Sequence, residues 1–136
     1  MSEALRLYPP AWVIGREVIE PIDLRGFRFP KGAQLFFSQW AVHRDGRYFD
    51  DPDAFRPERW ADGLAKRLPK FAYFPFGGGP RACVGNAFAT MESSLLLATM
   101  AQRFRLTLAP GARVEPRASL TLRPRHGLPM RVNYRD

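Results

Sequence analysis

The chain has 136 residues, 46% of them hydrophobic and 13% aromatic, which allows at most one domain and excludes a disordered polymer. Its net charge of +8 comes from cations spread between Arg6 and Arg135 without a run of five; with no zinc spacing, ribonucleoprotein-type aromatic motif or basic zipper beside them, nucleic acid is not an expected partner. One cysteine excludes an internal disulfide, no stretch reaches the roughly 18–20 apolar residues of a membrane span, and no basic-then-apolar leader opens the chain, so the expected location is the cytoplasm.

Residues 2–7 predict a short helix, with Ser2 as candidate N-cap and Tyr8-Pro9-Pro10 as its stop. Glu3 and Arg6, three apart, share a face of it; taken alone they read as a solvated ion pair. The β-branched pieces Val13-Ile14 and Val18-Ile19, an alternating stretch 22–29 around Gly26, and a strand at 34–38 predict a β region. Residues 40–45 predict a short helix. His43 within it is expected to bond locally, because two histidines and one cysteine cannot assemble a metal cluster.

Residues 50–75 are rich in Pro, Asp, Arg and aromatics without a sustained period, which predicts an ordered irregular loop. A helix free of Gly and Pro starts at Asn86 and is expected to end near Phe104. Strands at 105–108, 119–123 and 130–134 follow, with a turn at Ala109-Pro110-Gly111 and a Pro/Gly-rich stretch at 124–129 between the last two. The fold class is α+β, mainly α, with residues 1–136 in one unit.

The chemistry centres on Phe76-Gly77-Gly78-Gly79-Pro80-Arg81-Ala82-Cys83-Val84-Gly85. Its glycines and proline force a tight loop that a helix or strand would not tolerate. That loop presents Cys83 at the mouth of the following helix, whose dipole end favours a thiolate, with Arg81 adding positive charge. A lone cysteine is ordinarily a buried structural residue; that reading explains neither the glycines nor the arginine. Phe76, Gly79, Arg81, Cys83 and Gly85 together resemble the cysteine-loop motif of the cytochrome P-450 haem-thiolate monooxygenases.

The resemblance implies haem b (iron protoporphyrin IX) with Cys83 as its iron ligand, Phe76 shielding the sulfur, and Arg81 paired with a haem propionate. Arg16 reads equally as a second propionate partner or as an exposed strand charge. Glu3-x-x-Arg6 followed by Leu-Tyr-Pro-Pro is similar to the end of the family's K helix. Pro57-Glu58-Arg59-Trp60 would then supply the third member of a buried structural network, Glu3–Arg6–Arg59. The remaining stretches correspond to the family's small β-sheet, its meander, the L helix and a terminal β-hairpin whose 124–129 loop lies near substrate.

The match covers nearly all of this chain but only the C-terminal third or so of a family member. The long central helix that delivers protons to bound oxygen has no counterpart here. For the complete protein the resemblance implies O2 activation and hydroxylation or epoxidation of an apolar substrate. Electrons would come from a ferredoxin, flavodoxin or diflavin reductase docking near Lys66, Arg67, Lys70 and Arg103. The alternatives are a truncated, non-catalytic fragment without haem binding of its own and, from a different class, a small basic binding module.

Overall fold

The computed structural model describes residues 1–135. Helix α1 (Ser2–Leu7) ends at Tyr8, ahead of the two prolines. Ser2 is the first helical residue rather than the cap; Met1 holds the cap position and no side chain caps the helix. The expected small sheet divides into two separate antiparallel ribbons. Strand β1 (Ile14–Glu17) pairs with β4 (Gln34–Phe37), placing Ile14 opposite Phe37 and Arg16 opposite Leu35. Strands β2 (Ile22–Leu24) and β3 (Phe27–Phe29) form a hairpin across Arg25 and Gly26, both at positive φ. Val13 and the whole Val18-Ile19 piece fall outside these strands.

Helix α2 (Gln39–Val42) is capped by Ser38, whose Oγ accepts the Ala41 N–H at 3.2 Å. The irregular segment after it contains one 3₁₀ turn (Pro57–Trp60) and a single turn of helix, α3 (Leu64–Arg67). The cysteine loop holds a second 3₁₀ turn (Gly79–Arg81), a short helical element that the glycine content did not predict. Helix α4 (Asn86–Arg103) stops where the chain turns extended at Phe104 and continues directly into β5 (Phe104–Leu108).

Strand β5 pairs in antiparallel register with β8 (Met130–Tyr134), Phe104 facing Tyr134. Between them a two-residue ladder joins β6 (Pro116–Arg117) and β7 (Arg123–Pro124). Of the strand expected at 119–123 only Arg123 pairs, in β7; residues 119–122 bend away, their backbone diverted to Pro10 and Trp12, with the Leu122 N–H donating to the Pro10 carbonyl and the Trp12 indole N–H to the Ser119 carbonyl, both at 2.8 Å.

Burial is concentrated around α1, α2 and the 49–74 segment, where Leu7, Phe49 and Ala72 enclose the polar side chains of Glu3, Arg6, Gln39 and His43. Helix α4 has no buried residue; Phe88, Met91, Leu95, Leu96 and Leu97 are all more than half exposed. Among the described residues no helix is long and apolar enough to cross a membrane.

Candidate functional site

The cysteine loop is built from backbone requirements. Phe71 lies in the left-handed region at φ +66°, and its ring lies against Gly78, where an added Cβ would come within 2.3 Å of the ring Cε1. Gly77 and Gly79 hold φ of +72° and +71°, values that side-chain-bearing residues adopt only with strain. After the Gly79–Arg81 turn the chain comes back on itself: the Cys83 N–H donates to the Phe76 carbonyl at 2.8 Å, closing the loop. The Ala89 N–H then donates to the Gly85 carbonyl at 2.8 Å and opens α4. Gly85 offers no side chain to cap the helix; the Asn86 N–H, first in α4, donates to the Cys83 carbonyl at 3.4 Å.

Cys83 is exposed and borders a cleft of about 460 Å³. Four of the residues singled out from the sequence, Arg16, Phe76, Arg81 and Cys83, line it together. Gly79 and Gly85 do not; they shape the loop. Gly79 does so through its φ, whereas Gly85 has an ordinary φ of −83° and leaves space beside the sulfur, where a Cβ would lie 3.7 Å from Sγ. The rest of the lining includes Leu5, Pro10, Ala11 and Ile14 from the start of the chain and Thr90 and Ser93 from α4. A second, largely apolar cleft of about 630 Å³ shares Ile14 and Arg16 and is bounded by Phe36, Phe37, Phe71 and Phe74.

Beneath this site lies a charged cluster that is almost fully buried. Arg6 meets Glu3 with two parallel bonds, Nε to Oε2 at 2.9 Å and Nη2 to Oε1 at 2.8 Å. Arg59 Nε donates to Oε1 at 3.0 Å, as does the Arg56 N–H, and the Trp60 indole N–H donates to Oε2 at 2.8 Å. Arg6 also donates to the carbonyls of His43 and Ala54, at 2.8 and 3.0 Å, so the cluster binds the irregular 50–60 segment to α1. Burial pushes the Glu3 carboxyl up, but the bonds from Arg6, the Arg56 amide and Trp60 outweigh it and hold its pKa at about 2.

The Trp60 and Arg56 contributions escape a reading of the sequence, because an indole or amide donor to a residue more than fifty positions away leaves no periodic trace. His43 also departs from expectation. It is fully buried, and instead of bonding locally its Nε2 accepts the Phe74 N–H at 2.9 Å, across thirty-one positions. Gln39, unremarked in the sequence, lines the Cys83 cleft. Its only local signal is a spacing of four from His43 behind a serine cap.

The arrangement offers one soft sulfur donor, two guanidinium groups suited to carboxylates, and a mainly apolar wall. Among the described residues no group of three or more His, Cys, Asp or Glu side chains converges as a metal site.

Comparison with known proteins agrees with this composition. The sequence model of the family described as Cytochrome P450 matches residues 1–130. Cyclooctatin synthase of Streptomyces melanosporofaciens is 42% identical over 121 residues, 89% of this chain and 26% of that protein. Pentalenene oxygenase of Streptomyces avermitilis is 38% identical over 135 residues, 99% of this chain and 30% of that protein. Among solved structures, retinoic acid-bound cyanobacterial CYP120A1 superposes with a TM-score of 0.91 at 38% identity, covering 98% of this chain and 31% of that one. The chain thus spans between 26% and 31% of the length of these relatives. With nearly every residue inside the family match and the same backbone course as a solved member, this chain belongs to the cytochrome P450 family.

Proposed function

We propose that this chain is the C-terminal haem-binding part of a P450 monooxygenase, in which the sulfur of Cys83 would hold the iron of haem b. The observation that carries the reading is the convergence of Cys83, Phe76, Arg81 and Arg16 on one cleft. The residues present fit the group: a thiol for the iron, two arginines for the two propionates, and an apolar wall for the macrocycle. When bound, haem supplies the oxygen-activating redox chemistry.

Each residue has a part in holding that group. Cys83 gives its sulfur from a backbone fixed by the bond to the Phe76 carbonyl. Phe76 keeps water from the sulfur, which tunes its electron donation. Arg81, on the cysteine loop, and Arg16, on β1, hold the propionates from two separate elements. Glu3, Arg6 and Arg59 keep the surrounding backbone in place.

For the complete protein we propose hydroxylation or epoxidation of an apolar organic substrate, in line with the names of the oxygenase and synthase relatives. Electrons are delivered by a ferredoxin, flavodoxin or diflavin reductase. Lys66 and Arg67 in the last turn of α3, Lys70 beside the Phe71 ring, and Arg103 at the end of α4 are the candidate cations for an acidic donor.

The test is to add haem to the chain, reduce it, admit carbon monoxide and record the Soret band. A strongly red-shifted band that disappears in Cys83→Ala is expected; its survival in Cys83→Ala would overturn the assignment. A second reading, a piece without haem binding of its own, is favoured by the absence of any buried residue along α4, the helix that follows the cysteine loop. It predicts an ordinary haem–CO band or none, and unprotected amides along α4.

A further inference from the structure

Two buried side chains, one of them lining the Cys83 cleft, have no role so far. Gln39 and His43 are both fully buried, and they lie four residues apart, at the start of α2 and at its C-cap. Both reach Phe74. Gln39 Nε2 donates to the Phe74 carbonyl at 2.8 Å, and the Phe74 N–H donates to His43 Nε2 at 2.9 Å. The opposite ends of these side chains, Gln39 Oε1 and His43 Nδ1, are buried without a hydrogen-bond partner.

Two unpartnered polar atoms destabilise the fold, and a pair of apolar side chains would fill the space without them. What only the polar pair does is fix both peptide groups that flank Phe74. From there the path to the sulfur is short. The Phe74 carbonyl also accepts the Gly77 N–H at 2.9 Å, and the Phe76 carbonyl accepts the Cys83 N–H at 2.8 Å.

We infer that Gln39 and His43 are positioning residues for the cysteine loop: they clamp Phe74 and thereby set how Phe76 and Cys83 face the cleft. The inference rests on that cleft being the haem site. The clamp requires a neutral His43 with its proton on Nδ1, because Nε2 must accept. Arg6 faces the imidazole from α1, Arg44 is its neighbour in sequence, and the Tyr73 ring lies 5.2 Å away. Burial, with the charges of Arg6 and Arg44, outweighs the nearby Arg6 and Leu5 carbonyls and brings the pKa of His43 down to about 4.

The experiment compares residue-resolved amide exchange in the unsubstituted chain, His43→Phe and His43→Gln, with the carbon monoxide Soret band read on haem-loaded samples of each. His43→Phe keeps a ring but removes the acceptor. It is expected to speed exchange at Phe74 and Cys83 about tenfold, to leave the β5–β8 amides unchanged, and to diminish the red-shifted band. His43→Gln, which restores an acceptor oxygen, should recover both. Unchanged exchange at Phe74 and Cys83 in His43→Phe would overturn the clamp.

A second arm needs no altered fold. Taking the unsubstituted chain from pH 7 through pH 4 should remove protection at Phe74 and Cys83 with a midpoint near pH 4, while His43→Gln retains it. Equal losses in the two proteins would also overturn the inference. No red-shifted band in the unsubstituted chain would instead overturn the haem assignment, while the exchange at Phe74 still decides whether the clamp exists.

Discussion

Glu3 ties α1 to the 56–60 segment, since both its oxygens are committed to Arg6 and to groups from that segment. Arg6→Met leaves that buried carboxylate with three of its five hydrogen bonds and is expected to cost about 3–5 kcal/mol, measured as a fall in the urea midpoint. Two glycines of the loop separate by the same residue-level logic. Gly79→Ala meets no neighbouring atom but must hold φ +71°, which should cost about 1–2 kcal/mol. Gly85→Ala has an ordinary φ and should change stability by less than about 0.5 kcal/mol. Its methyl group, 3.7 Å from Sγ, should slow alkylation of Cys83 by a bulky thiol reagent. From sequence the two glycines look alike; only the backbone angles distinguish them.

At the level of elements, short-range patterns were legible and long-range ones were not. The run from Asn86, free of glycine and proline, reads as a helix, and it ends at Arg103, one residue from its expected limit. The β-branched and aromatic stretches at 22–29 and 34–37 form strands because alternation and a Gly turn are local signals. The bend at 119–122 defeated the same logic: Ser-Leu-Thr-Leu alternates like a strand, but its hydrogen bonds go to Pro10 and Trp12, more than a hundred residues away. The cysteine loop was legible through its glycines. The hold of α2 on Phe74 was not, because contacts across more than thirty positions carry no period. Ser38→Ala removes the cap of this single-turn helix and should cost about 1 kcal/mol. It should also raise exchange at Phe74, since Gln39 begins the turn that Ser38 caps.

Across the whole chain, titration and exposure set the behaviour. His43 has a folded pKa of about 4 against an ordinary 6.5, so the unfolded chain takes up the proton first. Its contribution, roughly 3 kcal/mol, is complete above pH 6.5 and is lost as pH falls toward 4. Glu3, lowered from 4.5 to about 2, then gives up its share as pH falls through that lower window. The urea midpoint is therefore expected to decline from pH 7.5 to 5 and more steeply below; a midpoint flat from pH 6.5 to 4 would contradict the His43 assignment, and one flat from pH 4.5 to 2 the Glu3 assignment. The unburied α4 should exchange its amides well before α1 and α2, which hold the buried residues. One contact joins these regions. The Trp12 indole, next to the cleft-lining Pro10 and Ala11, bonds to Ser119 near the far end of the chain. It works as a clasp, so the emission of that indole reports whether the last strands have closed over the first: a chain cut after Arg103 would still carry Trp12, now wetted and red-shifted.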